Sequence, residues 1–67
     1  MQEKVLIKIR DNRYKKNYTQ EYMSERLGIS QSHYAKIENG KVKLKADHLM
    51  KILEILEMNY NDLQKDN

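Results

Sequence analysis

The side chains in this sequence that can do covalent or metal chemistry are few and poorly spaced for it. There is no cysteine, which removes thiolate catalysis, disulfides and any cysteine-held zinc or iron–sulfur centre. His33 and His48 stand 15 positions apart, with no second histidine or carboxylate at a matching helical interval, so no metal site is expected. No Ser–His–Asp arrangement, glycine-rich phosphate loop or paired-carboxylate cleft can be assembled from 67 residues of this composition. A chain this short buries only about 60% of the surface its unfolded form exposes, which leaves little room for a deep catalytic cleft. The expectation is a binding protein, not an enzyme, and one that needs no cofactor.

Recognition chemistry is better represented, between Gln31 and Lys41. If that stretch opens as a helix with Gln31 at zero on the wheel, Tyr34 and Ile37 fall at about 300° and 240° and mark the buried side. The opposite face carries Ser32, Ala35, Lys36 and Asn39, with Gln31 flanking at the N-terminal end. Glutamine can pair bidentately with adenine, lysine donates to guanine, and serine and alanine permit close approach, so this face suits a DNA major groove. Taken alone, it reads more economically as a solvated face. His33 falls near the boundary, at about 200°. The five tyrosines, Tyr14, Tyr18, Tyr22, Tyr34 and Tyr60, read as core and rim residues in a chain without Phe or Trp, not as a base-stacking platform.

The elements that must position this face follow from periodicity and caps. Val5, Leu6 and Ile9 give an amphipathic first helix over Glu3 to Tyr14. Asn17 suits the left-handed conformation that ends a helix, and Thr19 caps a second over Gln20 to Leu27, with Met23 and Leu27 inward. Gly28 stops that helix and Ser30 caps a third over Gln31 to Glu38, a turn so tight that the two helices must cross steeply. Asn39-Gly40 ends the third helix and Lys41 to Lys45 forms a basic connector. Leu49, Ile52, Leu53 and Leu56 define a fourth helix, and Asn59 with Asp62 resembles a cap opening a short fifth that contains Leu63. Met50, Ile55, Met58, Tyr60 and Leu63 add apolar surface in the C-terminal third, which serves either self-association or simply the covering of the first helix.

Charge adds a partner class. The net charge is +3, but residues 1–20 carry +4 and residues 41–47 carry +2, so a polyanion would lie across those two segments if they share a face. No apolar run approaches the ~18 residues of a membrane span, and no signal-like start is evident, so a cytoplasmic location without membrane contact is expected.

The run Thr19-Gln20-Glu21-Tyr22-Met23-Ser24-Glu25-Arg26-Leu27-Gly28-Ile29-Ser30, followed by Ile37-Glu38-Asn39-Gly40-Lys41, resembles the Cro/phage-repressor type of helix-turn-helix domain. The likeness extends from Ile9 to Leu63. It implies that the helix opening at Ser30 or Gln31 is the recognition helix, that Gln31, Ser32 and Lys36 read bases, and that Gln20, Asn39 and Lys41 hold phosphates. It further implies a structural ion pair between Arg13 and Glu38. Three positions depart from the family pattern: Asn12 replaces an aliphatic residue, Ser24 an alanine and Leu44 a proline. The expected fold is all-α, a single five-helix helix-turn-helix domain of the phage lambda repressor-like type over residues 1–67. The expected function is a DNA-binding transcriptional regulator that acts on double-stranded DNA as a homodimer. An antitoxin or restriction-control regulator with a protein partner, and a helical protein-interaction module, stand as alternatives.

Overall fold

The computed structural model describes residues 2–64. Four α-helices, α1 (Gln2–Lys15), α2 (Gln20–Leu27), α3 (Gln31–Glu38) and α4 (Ala46–Leu56), are followed by a single 3₁₀ turn at Tyr60–Leu63. No strand occurs among the described residues. The boundaries are set locally. Thr19 Oγ1 accepts from the Tyr22 N–H at 2.9 Å and Ser30 Oγ from the His33 N–H at 3.0 Å, so each hydroxyl satisfies one of the orphan donors that open α2 and α3. Gly28 (φ 74°) and Gly40 (φ 78°) take the left-handed conformation that ends the preceding helix. Asn17 (φ 60°) and Glu57 (φ 57°) adopt the same conformation with side chains, ending α1 and α4.

The core gathers one stripe from each helix. Ile9, Met23, Leu27, Tyr34, Ile52 and Leu56 form its centre, with Val5, Tyr18, Tyr22, Ile29, Leu44, Leu49, Ile55 and Met58 packed around it. Helix α2 packs on α3 and α4, and α1 closes the bundle against α4, α3 and the 3₁₀ turn. This places α3 at the periphery, with Tyr34, Ile37 and Glu38 inward and the rest of its surface outward.

The expected fifth helix is corrected to the 3₁₀ turn. Only four residues follow the Asn59 cap before Gln64, too short for α-helical hydrogen bonding to propagate. The Asp62 carboxylate does accept from the Asn59 N–H at 2.8 Å, and Leu63 is buried, so the segment still caps and anchors as its sequence suggests. The three departures from the family pattern are accommodated. Asn12 donates to the Lys8 carbonyl one turn back (2.9 Å), Ser24 is buried and donates to the Glu21 carbonyl (2.8 Å), and Leu44 packs against the core.

Candidate nucleic-acid interface

One carboxylate organises the site from behind. Glu38, 2% exposed, accepts from Arg13 Nε (2.8 Å) and Nη2 (2.9 Å), from the Tyr34 hydroxyl (2.7 Å) and from Gln20 Nε2 (3.1 Å). Arg13 also donates to the Tyr18 carbonyl at 2.9 Å, so the pair ties together α1, the α1–α2 connection, the start of α2 and the end of α3. Burial is the strongest influence on the Glu38 carboxyl and pushes it up. The hydrogen bonds from Arg13, Tyr34 and Gln20 outweigh burial together, and the carboxyl lies below its ordinary value. Arg13 is raised by its hydrogen bond to Glu38 against the opposing effect of burial. Tyr34 is raised chiefly by burial and then by its bond to the charged carboxylate, so it stays a neutral donor.

The outward side of α3 is left open by this arrangement. Gln31, Ser32 and Lys36 are exposed, Ala35 is half-buried, and Asn39 and Lys41 are exposed just beyond the helix. Gln20 and Gln31 line one shallow concavity together with Tyr14, Asn17, Tyr18 and Thr19, so the N-termini of α2 and α3 open onto a common polar surface. Gln20 is half-buried, with one amide hydrogen directed to Glu38 and the second uncommitted by that bond. At the other end of α3, the Lys41 N–H donates to the Lys36 carbonyl at 2.8 Å, which holds the start of the basic connector against the helix.

The positive charge of residues 1–20 is distributed differently from its sequence density. Lys8 donates to the Asp62 and Leu63 carbonyls (3.2 and 3.3 Å), Arg10 to the Glu38 carbonyl (3.3 Å) and Lys16 to the Glu57 carboxylate (3.0 Å), while Arg13 is buried against Glu38. These four cations serve the fold. Lys41, Lys43 and Lys45 in the connector are exposed, as is Lys15 at the end of α1.

Two short helices joined by Gly28–Ser30, with the second presenting a polar outward face beside a basic connector, form a helix-turn-helix unit. A family model described as helix-turn-helix matches residues 6–63. The chain belongs to the helix-turn-helix family, in its Cro/phage-repressor branch. Searches of curated proteins and of solved structures find no match. In this helix-turn-helix domain, α2 and α3 are the two helices of the motif, and the surrounding α1 and α4 hold them through the core and the Arg13–Glu38 network. No helix among the described residues is long and apolar enough to cross a membrane.

Two features of the surface are absent from the sequence reading. Tyr14, Asn17 and Thr19 share the concavity of Gln20 and Gln31, which only the path of the α1–α2 connection reveals. His33 on α3 and His48 on α4 lie with ring centroids 5.9 Å apart, an approach made by the fold and invisible in their sequence separation. Of the apolar residues expected to drive self-association, Leu63 is buried and Ile55 and Met58 are half-buried against the core. Met50 (70% exposed) and Tyr60 (62% exposed) remain outward and line a groove with Lys51, Leu53, Glu54, Met58 and Asn59.

Proposed function

We propose that residues 1–67 act as one sequence-specific DNA-binding domain of a cytoplasmic transcriptional regulator, non-enzymatic and without a cofactor, with α3 inserted into the major groove. The observation that carries this reading is the division of α3: Tyr34, Ile37 and Glu38 hold it to the bundle, while Gln31, Ser32 and Lys36 are exposed and make no side-chain bond within the fold among those resolved. On this reading Gln31, Ser32 and Lys36 meet base edges, and Gln20, Asn39 and Lys41 meet phosphates on either side of the groove. The concavity shared by Gln20 and Gln31 supports a phosphate at the α2 end, next to a base read by Gln31.

One recognition helix covers only a few base pairs, so useful specificity calls for a homodimer on half-sites about 34–36 Å apart. The groove lined by Met50 and Tyr60 supports the pairing surface, because it presents Lys51 and Glu54 side by side, a self-complementary arrangement for a two-fold contact. Selection from random duplexes tests the proposal. It should recover a two-fold-related site bound at roughly 10⁻⁸ M or tighter at moderate salt, with log affinity falling steeply against log salt. Failure to enrich any sequence over random DNA overturns it.

A further inference from the structure

Arg10 serves the fold with only part of its hydrogen-bonding capacity. A guanidinium carries five N–H donors, and the bond resolved here is a single one, from Nη2 to the Glu38 carbonyl at 3.3 Å. That acceptor is neutral. Arg13 on the same helix is matched by the Glu38 carboxylate and Lys16 by that of Glu57, whereas no ion pair to Arg10 occurs among the described residues. The side chain is half-buried, so its charge is partly removed from water without a counter-charge, a state that favours an anion from outside. Arg10 also lines a shallow concavity between α1 and the end of α3, together with Asn39 and Gly40. Asn39 is exposed and is one of the residues assigned above to a phosphate.

We propose that Arg10 binds a phosphate of the duplex backbone beside Asn39, at the far end of α3 from Gln31. The inference rests on the DNA reading and adds to it a cation from α1, outside the helix-turn-helix unit itself. With one N–H kept on the Glu38 carbonyl, the planar guanidinium retains four donors, enough to meet two phosphate oxygens in the bidentate manner that arginine favours. The tie to α3 holds the side chain in place before DNA arrives, which lowers the ordering cost of the contact. Glu3 reaches the same concavity from the first turn of α1, and its carboxylate opposes a phosphate there. It is exposed, so the side chain can turn to solvent when the backbone docks.

Phosphate contacts are independent of sequence, so the test needs no operator. Affinity for a random-sequence duplex of about 30 base pairs is followed by fluorescence anisotropy from about 50 to 200 mM NaCl, on the native chain, Arg10→Gln, Arg10→Lys, Glu3→Gln and Lys16→Gln. Arg10→Gln should bind roughly tenfold more weakly at the low-salt end and lower the slope of log affinity against log salt by about 0.9, the share of one phosphate. Lys16→Gln makes the same charge change at a side chain held by Glu57 at the end of α4, and should leave the slope near that of the native chain. Arg10→Lys should keep the slope and lose part of the affinity, because an ammonium cannot make the bidentate contact; it stays informative if Arg10→Gln melts poorly. Glu3→Gln should bind at least as tightly as the native chain. Equal slope changes in Arg10→Gln and Lys16→Gln, undiminished affinity in Arg10→Lys, or weaker binding by Glu3→Gln overturns the contact and leaves the DNA reading standing. A native chain whose affinity does not fall with salt overturns both.

Discussion

Glu38 is the residue on which most of this domain converges. Its carboxylate satisfies three side chains from three helices, and removing one charge of a buried pair strands the other at about 3–5 kcal/mol. Arg13→Met and Glu38→Gln should each cost that much in urea unfolding, and the double substitution should cost less than the two summed; strict additivity would mean that the charges do not couple. Tyr34→Phe removes a single hydrogen bond to a charged group and should cost about 1.5–3 kcal/mol while leaving the protein folded. The pair also sets an acid limit. A carboxyl held below its ordinary 4.5 stabilises the folded state above that pH, and its contribution is lost as pH falls from there toward the folded value. Melting temperatures measured between about pH 5 and pH 3 should therefore decline in the native chain and decline less in Glu38→Gln; parallel curves would assign the acid sensitivity to other carboxylates. The pairing of Arg13 with Glu38 came from the family likeness and not from spacing. Gln20 as the fourth donor was not anticipated, because nothing local in the sequence distinguishes an amide facing solvent from one facing a carboxylate 18 residues away.

At the scale of the helix, the most legible features are those decided by a few neighbouring residues. Thr19, Ser30, Gly28 and Gly40 do what their types dictate, because a cap or a left-handed stop is settled within one turn. Glu57 is the exception, since α4 ends on a residue with no preference for positive φ. Holding a side-chain-bearing residue there costs about 1–2 kcal/mol, whereas its exposed ion pair with Lys16 contributes little. Glu57→Gly should accordingly stabilise the protein by about 0.5–1 kcal/mol, and Gly28→Ala should destabilise it by about 1–2 kcal/mol, both read from thermal melts. On the proposed docking, function divides along α3 in the same way. Gln31→Ala should relax base preference at one position of each half-site at about 1–3 kcal/mol on the preferred sequence, whereas Lys41→Ala should weaken binding to every sequence and lower the salt slope by about one. Selection profiles and salt titrations separate the two, and the reverse pattern would mean the domain docks in the opposite orientation.

At the scale of the molecule, long-range contacts decide what composition cannot. Lys8, Arg10 and Lys16 look like a polyanion-binding segment in sequence. Their acceptors lie 28 to 55 residues away, and only the closed bundle brings donor and acceptor together. The same closure leaves Met50 and Tyr60 as the apolar residues of the C-terminal third that remain outward. Met50→Glu should leave the thermal melt nearly unchanged, because the side chain is 70% exposed, and, on the proposed pairing surface, should convert the proposed dimer to a monomer in sedimentation equilibrium. A variant that sediments like the native chain would move the pairing surface elsewhere.

Helix α3 keeps its structural duties and its outward residues on opposite sides of eight positions. Tyr34, Ile37 and Glu38 cannot change without consequence for the bundle, yet Gln31, Ser32 and Lys36 can be replaced together with little effect on folding. Such a helix is interchangeable in the manner of a key blank. If α3 reads DNA as proposed, its teeth can be recut by a handful of point changes while the shank stays seated, and descendants of this chain would acquire new targets faster than new folds.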